Sequence, residues 1–155
     1  MRPYLLFVSG ITGIAGISLA GEPGTVRMFL VGAASFLSYG FGQALTDCFQ
    51  VDTDSLSSPY RPLTRGLISR RMVFLTSIAG LTACVAVFGI YHPFNVVLGA
   101  AAAVGLVTYT PMKRRWYAGP FYNAWIVLVL CLMAFLAAGG EVTGEPLIVM
   151  FGVGG

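Results

Sequence analysis

Long apolar runs recur along the whole chain, each bounded by a short polar or turn-forming break. A helix needs about 20 mostly apolar residues to cross the hydrocarbon of a bilayer. Runs of that kind cover Tyr4–Ala20, Met28–Phe49, Met72–Tyr91, Val96–Thr110 and Phe121–Ala138, and Asp47 is the one charged residue inside them. A further run begins near Leu147 and stops at Gly155. Backbone polar groups in lipid must be satisfied within the segment, so runs of this length are expected as helices. The links carry ordinary breakers: Gly21-Glu22-Pro23-Gly24, His92-Pro93, Gly119-Pro120, and Gly139-Gly140 through Pro146. The expectation is an all-α, multi-pass transmembrane bundle of five spans plus a truncated sixth.

Composition agrees. Apolar residues make up 57% of the 155 positions and charged residues 10%, with a mean hydropathy of +0.83. Soluble domains carry roughly 25% charged residues, so this chain has too few to cover a water-facing surface. Cys48, Cys84 and Cys131 are dispersed through apolar runs, which excludes a paired framework or a zinc site and predicts small buried packing residues. Arg2 before the first run imitates a signal peptide, but further spans follow at once, so a true first helix is expected. Gly10, Gly13 and Gly16 in that helix permit close helix contact.

The distribution of charge orients the spans. Seven of the nine basic residues fall in two segments: Arg61, Arg65, Arg70 and Arg71, then Lys113, Arg114 and Arg115. Both flank hydrophobic spans with few aromatics interleaved, which fits positive-inside bias better than nucleic-acid binding. Alternating the loops puts both segments on one side with Arg2, and leaves Glu22, Arg27, His92, Glu141 and Glu145 on the other. Segments 50–71 and 111–120 are therefore expected to be cytoplasmic. His92, the only histidine, reads as an interfacial loop residue.

The second span ends in a polar stripe. Gln43, Asp47, Gln50 and Asp54 are spaced i, i+4, i+7 and i+11, one face of a helix if the helix continues that far. Asp47 and Asp54 then point within roughly 20° of each other, and Asp52 points away. If the helix unwinds after Gln50, Thr53-Asp54-Ser55 starts a loop instead. An ionised Asp near mid-membrane costs roughly 2.5–3.5 kcal/mol even on a lenient scale, so the stripe calls for a cavity, a metal or cationic partners. Spaced carboxylates followed by a basic loop suit a magnesium-bound diphosphate, since Mg²⁺ takes one or two carboxylates plus phosphate oxygens and water. Arg61, Arg65 and the Lys113–Arg115 cluster can supply charge-assisted hydrogen bonds to phosphate. The competing reading of the basic clusters is topological, as orientation signals and contacts to anionic lipid.

The line Thr46-Asp47-Cys48-Phe49-Gln50-Val51-Asp52-Thr53-Asp54 runs into Ser58-Pro59-Tyr60-Arg61-Pro62-Leu63-Thr64-Arg65-Gly66-Leu67-Ile68-Ser69. It resembles the first aspartate-rich motif of UbiA-type membrane prenyltransferases, N-D-x-x-D-x-x-x-D followed by P-x-R-P-[LI]-x-x-G-x-[IL]-S. Tyr109-Thr110-Pro111-Met112-Lys113-Arg114 resembles the family's segment after the fourth helix. The resemblance covers roughly residues 5–155 and implies that 1–155 form the N-terminal half of a nine-helix domain. It departs at Thr46, where the family has Asn, and at Gln50, where it has the middle Asp. The family's second aspartate-rich motif has no counterpart here.

The activity implied by the resemblance is Mg²⁺-dependent transfer of a prenyl group from an isoprenyl diphosphate to an aromatic or other lipophilic acceptor. Asp47 and Asp54 would be metal ligands with Gln50 and Thr46 as auxiliary oxygens. Arg61, Lys113 and Arg114 would bind diphosphate, assisted by Arg65, and Tyr109 would form a wall or donate a hydrogen bond. The seven-residue step from Asp54 to Arg61 resembles the chlorophyll-synthase-like and archaeal glyceryl-lipid branches more than the hydroxybenzoate branch. The partners implied are the two substrates, the bilayer and a missing C-terminal half, without which the chain is expected to be inactive. Two other readings compete: a non-catalytic homologue that binds a lipid diphosphate or a partner protein, and a transporter with an intramembrane polar stripe. The retained Pro-Tyr-Arg-Pro-Leu line argues against the transporter.

Overall fold

The structure, a computed structural model, describes residues 3–49, 51, 63, 65–112, 118–141 and 148. They form five α-helices: α1 Pro3–Ala20, α2 Thr25–Phe49, α3 Arg70–Tyr91, α4 Phe94–Met112 and α5 Ala118–Ala138. Each coincides with one expected span. The fourth is longer than the apolar run suggested, because Phe94 and Asn95 open its first turn and Pro111 is accommodated near its end. Of the sixth apolar run only Ile148 is described.

The helix ends follow from local chemistry. Ser69 caps α3 by accepting the Met72 amide through its hydroxyl at 3.1 Å. α3 stops where His92 turns extended before Pro93, a residue that disfavours helical geometry in its predecessor. At the end of α5, Gly139 takes a φ of 99°, and its amide donates to Leu136 O while that of Gly140 donates to Phe135 O. This pair of bonds is a Schellman closure, and the positive φ explains glycine there.

Each helix packs on the next, and α5 returns to α1, so the five close into a ring. The closure depends on glycine. A Cβ on Gly10 would lie 2.9 Å from the Phe36 ring, one on Gly13 would meet the Ser35 side chain, and one on Gly16 would meet the Cys131 carbonyl. The expected role of these three glycines is borne out: Gly10 and Gly13 let α1 close on side chains of α2, and Gly16 lets it close on the backbone of α5. The core lies between α2, α3 and α5, with Val31, Phe88, Ala134 and Ala137 almost wholly buried. Cys48, Cys84 and Cys131 are buried packing residues, as expected.

α2 and α3 are long and apolar enough to cross a membrane, and shorter apolar helical stretches cover Leu6–Ala20, Phe94–Thr108 and Ala124–Ala138. In the most apolar window of α3 only 17% of residues are buried in the protein, and 33% in that of α2. The core helix of a soluble protein would hide most of such a segment. Here Phe29, Met72, Leu75 and Ile90 face outward, more than half exposed, which is stable only where the surroundings are themselves apolar.

Candidate functional site

α2 carries the first half of the polar stripe in its last two turns. Thr46 is buried and its hydroxyl donates to Gln43 O at 2.9 Å. Its proton is thereby committed inside the helix, leaving only the oxygen's lone pairs to face a ligand. Asp47, the next residue, is half-buried. The end of α2 is anchored against the start of α3: Cys48 Sγ lies 3.8 Å from Arg70 O, and the Phe49 and Phe74 rings meet edge to face at 6.1 Å. These two contacts hold Asp47 beside the turn that carries Arg70 and Arg71.

Beneath this polar end lies a cavity of about 430 Å³ walled by α2, α3, α4 and α5. Gln43 and Thr46 line its upper end, with Ile78, Val107 and Ile126 at the same level. Phe88, Val96 and Met133 line the opposite end. Between them the wall is almost wholly apolar, and Gly42 opens space opposite Leu106, whose methyls would lie 3.5 and 3.6 Å from an added Cβ. The helix directions bring the end of α2, the start of α3, the end of α4 and the start of α5 to one end of the bundle.

Of the expected site residues, the structure brings Thr46 to the cavity, while Asp47, next to it in α2, is half-buried and does not line it. Arg65 sits exposed in the turn before α3. Tyr109 lies on the last turns of α4, with its side chain outside the described residues. Gln50, Asp54, Arg61, Lys113 and Arg114 also lie outside the described residues. Among the described residues no cluster of three or more His, Cys, Asp or Glu could hold a metal. The donors present are an Asp carboxylate, a Gln carbonyl and a Thr hydroxyl, hard oxygen ligands of the type Mg²⁺ prefers.

Two features of the far end were not legible from spacing. Asn95 is completely buried, and its Nδ2 donates to Phe88 O and to Met133 O, each at 3.1 Å. From α4 it therefore fastens α3 to α5 behind the cavity. Its Oδ1 is buried without a protein partner, as is Nδ1 of His92. His92 is half-buried and stands at the C-cap of α3, outside the helix, in the link where the sequence placed it. Asn95 lies in the link just before the fourth apolar run, so the apolar pattern carried no signal for it.

The fold and the sequence both have relatives. The structure superposes with a TM-score of 0.82 on a solved structure of digeranylgeranylglyceryl phosphate synthase in membranes, at 22% identity, covering 97% of this chain and 54% of that one. Digeranylgeranylglyceryl phosphate synthase of Natronomonas pharaonis is 28% identical over 92% of this chain and 51% of its own length. That of Haloquadratum walsbyi is 28% identical over 97% and 54%. The enzyme of Pyrococcus horikoshii is 32% identical over 48% and 27%. The chain thus spans about half the length of the relatives that it matches end to end. The family model for UbiA prenyltransferases matches residues 6–155, which include the aspartate-bearing end of α2 and the cavity below it, and the chain belongs to that family.

Proposed function

We propose that this chain forms the prenyl-diphosphate half of a membrane prenyltransferase site. The observation that carries this reading is the junction at Gln43 and Thr46, one residue before Asp47, where the polar end of α2 opens onto an apolar cavity. That shape matches a molecule with an anionic head and a hydrocarbon tail. In this reading all five helices cross the bilayer with segments 50–71 and 111–120 cytoplasmic, so the diphosphate enters from the cytoplasmic side.

Asp47 and Asp54, with Gln50, would hold Mg²⁺, which when bound offsets the negative charge growing on the departing diphosphate. Arg61, Lys113 and Arg114, with Arg65, would supply further positive charge to the same diphosphate. Groups oriented before reaction stabilise the leaving diphosphate without reorganisation cost. The carbon–oxygen bond to the diphosphate breaks, and the allylic carbon is captured by the acceptor's nucleophile. The acceptor class nearest to hand is a glyceryl phosphate lipid, since the relatives that align most fully are named digeranylgeranylglyceryl phosphate synthase. The rest of the site would come from a counterpart of the relatives' other half.

The test is binding and transfer in membranes containing this chain with and without that counterpart, using geranylgeranyl diphosphate, with and without chelator. Mg²⁺-dependent binding by this chain, and transfer only when the counterpart is present, is the expected result. Binding indifferent to both Mg²⁺ and Asp47→Asn would overturn it. A non-catalytic homologue is the second reading, favoured by Thr46, whose hydroxyl proton is committed to Gln43. Binding without transfer in the reconstituted pair would decide for it.

A further inference from the structure

Above the cavity, where α2 ends and α3 begins, lies a second hollow. It is a groove of about 370 Å³ lined by Cys48 and Phe49 of α2 and by Arg70, Arg71 and Phe74 of α3. Arg70, Phe74, Ile78, Leu81 and Val85 stand at i, i+4, i+8, i+11 and i+15, which is one face of a helix. The last three of these line the cavity. Arg71 falls on the same face, with the cavity-lining Ile78 and Thr82 at i+7 and i+11. On α2, Phe49 stands one turn beyond the cavity-lining Leu45. Groove and cavity therefore share the α2–α3 seam, and the edge-to-face pair of Phe49 and Phe74 stands between them.

Charge sets the class of occupant. Among the described residues no carboxylate lines the groove, and the first turn of α3 holds no acid. Arg70 and Arg71 are exposed, so neither is packed away from a ligand. An orientation signal works from any face of a helix, yet both arginines occupy the face that leads to the cavity. Two guanidinium forks match the oxygens of a phosphate monoester. Next to them on α3, Met72 and Leu75 turn outward, 66% and 56% exposed. The chain of a lipid can thus stay in the bilayer while its head reaches the arginines.

We propose that Arg70 and Arg71 bind the phosphate of the acceptor lipid, as a second anion site apart from that of the diphosphate. The inference rests on the reading of this chain as half of a prenyltransferase site acting on a glyceryl phosphate lipid. That reaction brings together two anionic heads, which repel each other unless each has its own cations. With the ring pair between groove and cavity, the two heads are held at neighbouring but separate positions.

The experiment is binding to the chain in phosphatidylcholine nanodiscs. The probes are hexadecylglyceryl phosphate, hexadecylglycerol without the phosphate, and geranylgeranyl thiodiphosphate with Mg²⁺. The parent chain should bind the phosphate-bearing glyceryl probe about tenfold more tightly than the neutral one, the scale of a charge-assisted hydrogen bond. Arg70→Gln with Arg71→Gln should abolish that preference and leave thiodiphosphate binding unchanged. Arg70→Lys with Arg71→Lys keeps the charge without the fork and should restore the preference in part. Phosphatidylglycerol added to the nanodiscs, a phosphodiester, should compete weakly.

No preference in the parent chain, an unchanged preference in the double Arg→Gln variant, or full displacement by phosphatidylglycerol would overturn the acceptor site while leaving the diphosphate site standing. Loss of thiodiphosphate binding in the double Arg→Gln variant would place the arginines in the diphosphate site, which overturns the second site as well. If the parent chain binds the glyceryl phosphate through these arginines but binds no thiodiphosphate, the prenyl-diphosphate reading falls and the phosphate site stands.

Discussion

The guanidinium of Arg27, at the start of α2, lies over the ring of Tyr91, at the end of α3, 4.7 Å from its centroid. Arg27 Nη1 also donates to Ala138 O at 3.4 Å, reaching the end of α5. This arginine stands apart in sequence from the two basic segments 61–71 and 113–115. Its place is explained by packing: one side chain ties together three helix ends.

Arg27→Ala is therefore expected to lower stability by about 1 kcal/mol, the scale of a partly desolvated cation–π contact. Thermal unfolding in detergent reads the loss. Ligand binding at the opposite end of the bundle should be unchanged, and a weakened diphosphate affinity would show that the contact has another role.

Asn95→Ala removes two hydrogen bonds, while the Met133 carbonyl keeps the Ala137 amide within α5. Phe88 O keeps the His92 amide, so the expected loss is about 2 kcal/mol. An unfolding midpoint identical to that of the parent chain would contradict the fastening role.

The glycines of α1 separate close approach from mere smallness. Gly16→Ala pushes a methyl into the Cys131 carbonyl and should cost about 2 kcal/mol through backbone displacement. Gly32→Ala in α2 meets nothing within 4 Å and should be neutral or stabilising by up to about 1 kcal/mol. Equal effects from the two would mean that contact distance does not govern them.

Asp47→Asn keeps the shape of the α2 terminus and removes a carboxylate. Mg²⁺-dependent diphosphate binding should fall by at least the ~10- to 100-fold that loss of even an outer-shell partner costs a metal site. Titration calorimetry with a non-hydrolysable analogue measures it, and Asp54→Asn should behave alike.

Arg61→Ala and Lys113→Ala should each weaken analogue binding by about tenfold, the worth of one charge-assisted hydrogen bond. Topology should hold, because other basic residues remain in each loop. Cysteine labelling from either side of the membrane reads topology, and inversion with normal binding would make these residues orientation signals only.

The five helices among the described residues were legible in the sequence, because apolar length and interrupting glycines and prolines act locally and need no partner. The aspartate-bearing end of α2 was legible for a similar reason: a carboxylate in an apolar run is costly enough to mark itself. Cavity and ring closure were not. They depend on which face of each helix meets which neighbour, and helices apolar on nearly every side carry no stripe that would announce it. Packing decided that Gly16 meets the Cys131 carbonyl and that Asn95 reaches both Phe88 and Met133, residues seven and 38 positions away. Contacts across such separations exist only once the ring has closed, so the sequence alone determined the helices and their polar end, and the tertiary structure alone decided the space between them.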